Sequence, residues 1–317
     1  MKVLIADKMS SKAKELLVKN GLEADEKIGL SEEELIGIIG GYDAMIVRSD
    51  TTVTAKILKA GVKLKIVGRA GVGTDNIDKV AANKLGIAVE NTPFGNTNAA
   101  AEHTLTLLMM LAKHIVHSNQ SMKNGEWNRN FKGRELKGKT LGLIGFGNVG
   151  SKVGLVAKAL EMNVIVYDPF VKNEKLAEFG LARATLDELI KNSDYISPHV
   201  PLNEETKNMI DKKQFEQMKT GVRILNVARG GVINENALLD ALNSKKVAAA
   251  ALDVYSDEPP TNKELIAHNS VIATPHLGAS TQEAQENVAL DVAEQVVQGL
   301  KHGKIMFCVN GVEKLKE

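Results

Sequence analysis

Short β-branched runs alternate with helical stretches along almost the whole chain, and they do so in two separate series. The first runs through "KVLIA", "AMIV", "KIVG" and "IAVE", with helices such as "SKAKELLVKN" between them. The second begins at "KTLGLIGFG" and continues through "NVIVYDP", "DYISPHVP", "VRILNVA", "VAAAALDVY" and "SVIATPH". Strands that are apolar on both faces and separated by helix-length spacers pair in parallel, because a parallel neighbour is reached only through a long crossover, and helices then cover both faces. The fold class is therefore α/β, with two doubly wound parallel-sheet domains.

Two long helical patterns flank the second series. "NAAAEHTLTLLMMLAKHIVHSNQSMKNGEW" reads as one long apolar helix leading into it, and "TQEAQENVALDVAEQVVQGL" as another leading out. A chain that leaves one domain, builds a second and returns accounts for both. The expected division is residues 1–96 with 284–317 as a discontinuous first domain, and 97–283 as a second domain inserted into it. "KIMFCVN" near the end predicts a further strand.

Charge excludes several partner classes. Forty Lys and Arg against 39 Asp and Glu give a formal net charge of +1, so no global field draws nucleic acid or an anionic membrane. An anionic ligand has to be held by local groups. Cys308 is the single cysteine, which rules out an internal disulfide framework or a thiolate metal cluster and suits a reducing, cytoplasmic setting. No metal site is expected. The start, "MKVLIADK", goes straight into a strand and lacks a signal-peptide pattern, while the longest apolar run, "LTLLMMLA", is too short to span a bilayer.

Each series carries a glycine-rich turn, "GRAGVGTDNID" in the first and "GLIGFGNVGSKV" in the second. The second has the full G-x-G-x-x-G in Gly145, Gly147 and Gly150, between a strand and a helix. Three glycines there allow a tight turn, close approach of a pyrophosphate, and packing of helix on strand. Asp168 ends the next strand, where a carboxylate accepts the ribose hydroxyls of a dinucleotide. This points to a Rossmann domain selecting NAD over NADP, with Lys172 as the opposing charge. The first turn has Gly71 and Gly73 but Asn76 in third place.

A nicotinamide enzyme also needs a proton carrier. His103, His114 and His117 fall in the apolar helix, His268 in a surface-like helix, and His302 near the end. His199 and His276 remain, each just past the end of a strand, where open α/β sheets place ligands. "SPHVP" makes His199 a pocket-shaping residue. For His276, in "TPHLG", a turn histidine bonded to a carbonyl is the plainer reading from the residues alone.

"RAGVGTDNID", "NTPFGNTNAAAEHT", "GLIGFGNVG", "NVARGGVINE", "ALDVYSDEPP" and "PHLGASTQEAQ" together resemble, in order and spacing, the D-2-hydroxyacid dehydrogenase family over essentially the whole chain. The resemblance implies a Rossmann NAD-binding domain inserted into a flavodoxin-like substrate domain. It implies Arg229, Glu258 and His276 as the catalytic residues, with His276 as acid/base, Glu258 behind it, and Arg229 on the substrate carboxylate. Such a carboxylate–imidazole pair and a bidentate arginine suit hydride removal from a hydroxy acid.

It further implies cofactor contacts at Gly145, Gly147, Asn148, Val149, Gly150, Asp168, His199, Val200, Pro201, Val227, Ala228, Arg229, Asp253, His276, Gly278 and Ala279. Substrate contacts fall at Arg48, Arg69, Val72, Gly73, Asn96, Arg229 and His276. The "GAST" and "EAQ" runs are similar to the branch that oxidises D-3-phosphoglycerate at the entry to serine synthesis. Against that branch, Val200 stands where threonine is common, and Asp50 and Thr52 stand where a small residue and a lysine are usual. The alternatives are a glyoxylate or hydroxypyruvate reductase using the same three residues, and a dinucleotide-sensing corepressor. The family also implies a homodimer, or dimer of dimers, through the helix at 96–117. With no regulatory segment after residue 317, no serine inhibition is expected.

Overall fold

The computed structural model describes residues 1–316. In chain order the elements are β1 (Lys2–Ile5), α1 (Ser11–Lys19), β2 (Glu23–Glu26), α2 (Glu32–Ile39), β3 (Ala44–Val47), α3 (Ala55–Ala60), β4 (Ile66–Arg69), α4 (Lys79–Lys84) and β5 (Ala88–Asn91). Next come α5 (Thr97–Lys113), α6 (Ile115–Lys123), β6 (Thr140–Ile144), α7 (Asn148–Ala159), β7 (Asn163–Tyr167), α8 (Asn173–Glu178), β8 (Ala182–Arg183), α9 (Leu186–Asn192) and β9 (Tyr195–Pro198). The last are α10 (Lys212–Gln217), β10 (Val222–Asn226), α11 (Glu235–Asn243), β11 (Val247–Leu252), α12 (Lys263–Ala267), β12 (Val271–Ala273) and α13 (Gln282–His302).

Two compact units divide these elements, one made of Met1–Thr97 with the segment from Ser280 onward, the other of Asn98–Ala279. The first holds a five-stranded sheet in the order β2-β1-β3-β4-β5, all parallel. Alternation along its strands divides the core. Val3 and Ile5 of β1 pack with Val292 and Val296 of α13, while Leu4 between them joins Leu35 of α2 and Ile57 of α3 on the other face. Every one of these side chains is at most 2% exposed.

The second unit holds a seven-stranded parallel sheet, β12-β11-β10-β9-β6-β7-β8. Leu143 and Leu225 belong to the core under α5 and α7, and Ile144 and Ile224 to the core under α9 to α11. Side-chain caps start most of the helices. Ser31 with Glu34 and Thr185 with Glu188 form reciprocal capping boxes at α2 and α9.

Three sequence expectations give way. The connecting helix is not continuous: His114 sits at φ 54°, and the carbonyl of Ala112, which a continuing helix would use, accepts instead from Arg134 N at 2.7 Å. "KIMFCVN" is not a strand but a single antiparallel bridge of Cys308 to Glu90. The N–H groups of Met306 and Phe307 donate to the Glu90 carboxylate, at 2.6 and 3.0 Å, in place of a ladder. Finally, β2 ("EADE") and β8 ("AR") are edge strands whose pattern carries no apolar run.

Candidate active site

The loops that leave the carboxyl ends of the second sheet carry the candidate residues. The strand order reverses between β6 and β9, the position at which an open α/β sheet presents its ligand crevice. There Gly145 adopts φ 96°, and a Cβ on it would lie 2.6 Å from the carbonyl oxygen of His199. A Cβ on Gly150 would lie 2.4 Å from the carbonyl oxygen of Gly145, so helix α7 can seat on the strand only with glycine at that position.

Gly147, in contrast, faces open space, with nothing within 4 Å of a built Cβ. It is the N-cap of α7 and no side chain caps that helix. An exposed cradle at the positive end of a 12-residue helix fits the pyrophosphate of a dinucleotide. Asn148 and Val149 form the first turn below it.

Asp168, at the end of β7, braces this turn. Its Oδ2 accepts from Phe146 N at 2.7 Å, and its Oδ1 from Phe170 N and Val171 N at 2.8 and 3.1 Å. A carboxylate has further lone pairs, so ribose hydroxyls can still be received. Arg183, which the sequence reading passed over, donates to the carbonyls of Asp168 and Val171 and fixes the loop from outside. Lys172 is the N-cap residue of α8 and makes no side-chain cap.

His199, with Val200 and Pro201 following, lies beyond β9. Its Nε2 is 3.0 Å from Ser197 Oγ, and burial pushes the imidazole down to about 4. A ring that stays neutral across the physiological range shapes a pocket and carries no proton.

Beyond β10, Val227 and Ala228 lead into Arg229. Asn226 locks that corner, its Oδ1 accepting from Ala228 N at 3.1 Å and its Nδ2 donating to Arg229 O at 2.8 Å. The Arg229 guanidinium donates to the carbonyl of Ala228 at 2.6 Å. Gly230 brings this loop against the one after β11, since a Cβ on it would fall 1.7 Å from the Tyr255 carbonyl oxygen. In that second loop Glu258, before a cis bond to Pro259, accepts from Tyr255 N through Oε1 at 3.2 Å.

The other oxygen of Glu258 meets His276: Oε2 to Nδ1 is 2.7 Å. The imidazole is half exposed and adopts φ 54°, so its Nε2 edge is left for a substrate. His276 is thus bonded to a carboxylate by its side chain, and only its backbone N–H goes to carbonyls, those of Asp253 and Thr274.

Asp253 departs from the role expected of it. Its carboxylate is fully buried and taken up by the protein, accepting from Leu277 N (2.8 Å), Gly278 N (2.7 Å) and Thr274 Oγ1 (2.6 Å). His103 Nε2 stands 3.3 Å away. Burial pushes this carboxyl up, but the hydrogen bonds from His103, Thr274, Leu277 and Gly278 outweigh it and hold it below the usual range. Asp253 serves the site by clamping the loop of His276 to Ala279, and His103, set aside as a helix residue, is part of that clamp. Neither pairing has a local sequence signature.

The other expected substrate contacts lie in the first unit. Arg48 leaves β3, Arg69 ends β4, and the turn Gly71–Gly73 follows. Arg69 donates to Ala70 O at 2.9 Å, and Asn91 Nδ2 to Val72 O at 2.7 Å. The side-chain oxygen of Asn96 is buried without a hydrogen-bond partner among the described residues, an acceptor placed to receive a hydroxyl. Asn76, in the place of a third glycine, donates to Arg48 O and Thr51 O at 2.7 and 2.6 Å. The side chain that breaks the glycine pattern fastens the Arg48 loop.

Among the described residues there is no group of His, Cys, Asp and Glu able to hold a metal ion, and no helix is long and apolar enough to cross a membrane.

Comparison with known proteins covers both units. The chain is 48% identical to D-3-phosphoglycerate dehydrogenase of Archaeoglobus fulgidus over 98% of its length and 59% of that protein's. It is 46% identical to the enzyme of that name from Bacillus subtilis, with the same coverage. The chain spans somewhat over half the length of these curated relatives. Among solved structures, NAD-bound 3-phosphoglycerate dehydrogenase of Entamoeba histolytica superposes with a TM-score of 0.83 at 32% identity, covering 98% of each chain. A glyoxylate reductase from Paecilomyes thermophila gives a TM-score of 0.90 at 30% identity, again covering 98% of each. Residues 105–278, from within α5 through the His276 loop, match the model of the D-isomer specific 2-hydroxyacid dehydrogenase NAD-binding domain, and the chain belongs to that family of NAD-dependent dehydrogenases.

Proposed function

We propose that the protein oxidises D-3-phosphoglycerate to 3-phosphohydroxypyruvate with NAD, the entry step of serine synthesis. The observation that carries this reading is the His276–Glu258 pair at 2.7 Å, with the Arg229 loop packed against it through Gly230. When NAD is bound it accepts the hydride leaving C2.

The chain's own residues do the rest. Arg229 receives the carboxylate and the C2 oxygen in one fork, which fixes the C2–H bond in one direction and selects the D-isomer. His276 Nε2 takes the hydroxyl proton as the C2–O bond becomes a carbonyl. The proton then sits on a ring whose Nδ1–H already faces the Glu258 carboxylate, so the imidazolium is stabilised where it forms. In the first unit Arg69, Val72, Gly73 and Asn96 contribute the remaining contacts to carboxylate and hydroxyl, and Arg48 meets the phosphate. Asp168 would repel a 2'-phosphate and so favour NAD over NADP.

A second reading, reduction of glyoxylate or hydroxypyruvate, draws on Asp50 and Thr52, which depart from the branch pattern. Steady-state kinetics with D-3-phosphoglycerate and NAD, and with glyoxylate or hydroxypyruvate and NADH, separate the two. The first reading requires the highest kcat/KM for the phosphorylated substrate, and a tenfold preference for glyoxylate would replace it with the second.

The protein is further read as a cytoplasmic homodimer. Met109 on α5, Ile115, Val116 and Met122 on α6, and Trp127 after it are all exposed, Trp127 by 79%. So much apolar surface along one connected stretch is what a symmetric partner would cover.

A further inference from the structure

The order of the first sheet reverses between β1 and β3, and the crevice outside the carboxyl ends of two such strands is where open α/β sheets take ligands. A cavity of about 600 Å³ opens there. Lys8, just past β1, and Arg48, just past β3, form one wall; Gln282 and Gln285 in the first turn of α13 form another, with Ser10 at the start of α1 beside them.

Both cations are uncommitted to a carboxylate. Among the described residues the Arg48 guanidinium donates to the carbonyl of Lys8, at 3.1 Å, and makes no salt bridge; the Lys8 ammonium makes neither a salt bridge nor a hydrogen bond. Glu286, the one acid lining the cavity, is already engaged by Lys12. Asp50 and Thr52 are exposed and lie outside the lining, so the unfavourable charge in "VRSDTT" does not face the cavity.

The Arg48 backbone is also held from two sides. Asp7, buried at 2% exposure, accepts from Arg48 N at 2.5 Å and from Thr51 N at 3.2 Å, while Asn76 donates to Arg48 O. A guanidinium fork, an ammonium and two amides on a fixed frame exceed what a planar carboxylate uses. They match a tetrahedral dianion with three acceptor oxygens.

We propose that this cavity is the subsite for the substrate's phosphate group, and that Lys8 supplies the second positive charge that the sequence lacks at Thr52. The proposal rests on the reading of the substrate as D-3-phosphoglycerate.

Its test is the Lys8→Gln variant, a surface change that leaves the fold intact. KM for D-3-phosphoglycerate rises about tenfold, the loss of one charge-assisted contact. The inhibition constant of inorganic phosphate, competitive with that substrate, rises similarly, while kcat and KM for NAD stay within twofold. Lys8→Arg restores KM, and Lys14→Gln, a surface lysine paired with Glu26, does not change it. An unchanged KM in Lys8→Gln, or a fall in kcat and NAD affinity alongside it, overturns the subsite and leaves the proposed activity standing. A wild-type protein that turns over glyoxylate or hydroxypyruvate but not D-3-phosphoglycerate overturns the activity itself, and the subsite with it.

Discussion

His276 occupies a left-handed backbone conformation that costs a non-glycine residue about 1 kcal/mol, and Asp253 is what holds it there. The strain aims the ring at Glu258 and away from the loop. Removing the ring in His276→Ala should lower kcat by roughly 10² to 10⁴ with NAD affinity retained, because proton transfer is lost and the dinucleotide contacts are not. Measuring kcat, NAD affinity and melting temperature on one preparation checks this; a full rate per folded molecule would remove His276 from the chemistry. His199 behaves differently. With its folded value near 4 against an ordinary 6.5, it is neutral in both states above about pH 6.5 and its contribution is then complete. As pH falls from 6.5 toward 4 the unfolded chain takes up the proton first, so stability drops by up to about 3 kcal/mol. His199→Gln should flatten that part of the urea-unfolding profile relative to wild type, and parallel profiles would contradict the burial argument. At this scale the sequence reached both histidines, because each follows a strand that is easily recognised. Asp7, Asn76, His103 and Ser197 were not legible, since each acts through a hydrogen bond that only the fold brings within reach.

At the scale of elements, the interior strands announced themselves as apolar runs, whereas β2 and β8 could not: an edge strand pairs through its backbone on one side and tolerates charge. The break at His114 was equally hidden, because it comes from Arg134 taking a helix carbonyl from 22 residues away in the chain. The loops after β10 and β11 meet at Gly230, and the catalytic arrangement depends on that approach. Gly230→Ala pushes the two apart, so the expected result is a lower melting temperature together with at least a tenfold loss of kcat. Differential scanning calorimetry and initial rates check it. A variant with native stability and rate would mean that the Arg229 loop does not need this contact.

For the whole molecule, two doubly wound sheets could be read from periodicity alone, while the ends of the units could not, since no change in composition marks them. The exposed apolar stretch on α5 and α6 predicts a particle of at least twice the 34.2 kDa chain mass by light scattering at micromolar concentration. A monomer would leave that surface unexplained. The central claim is hydride transfer from C2 of a D-2-hydroxy acid to NAD, and the most direct measurement uses D-3-phosphoglycerate deuterated at C2. One deuterium should appear in the reduced cofactor for each 3-phosphohydroxypyruvate formed, with NAD strongly preferred over NADP. Label released to solvent, or no reduced cofactor at all, would contradict the account.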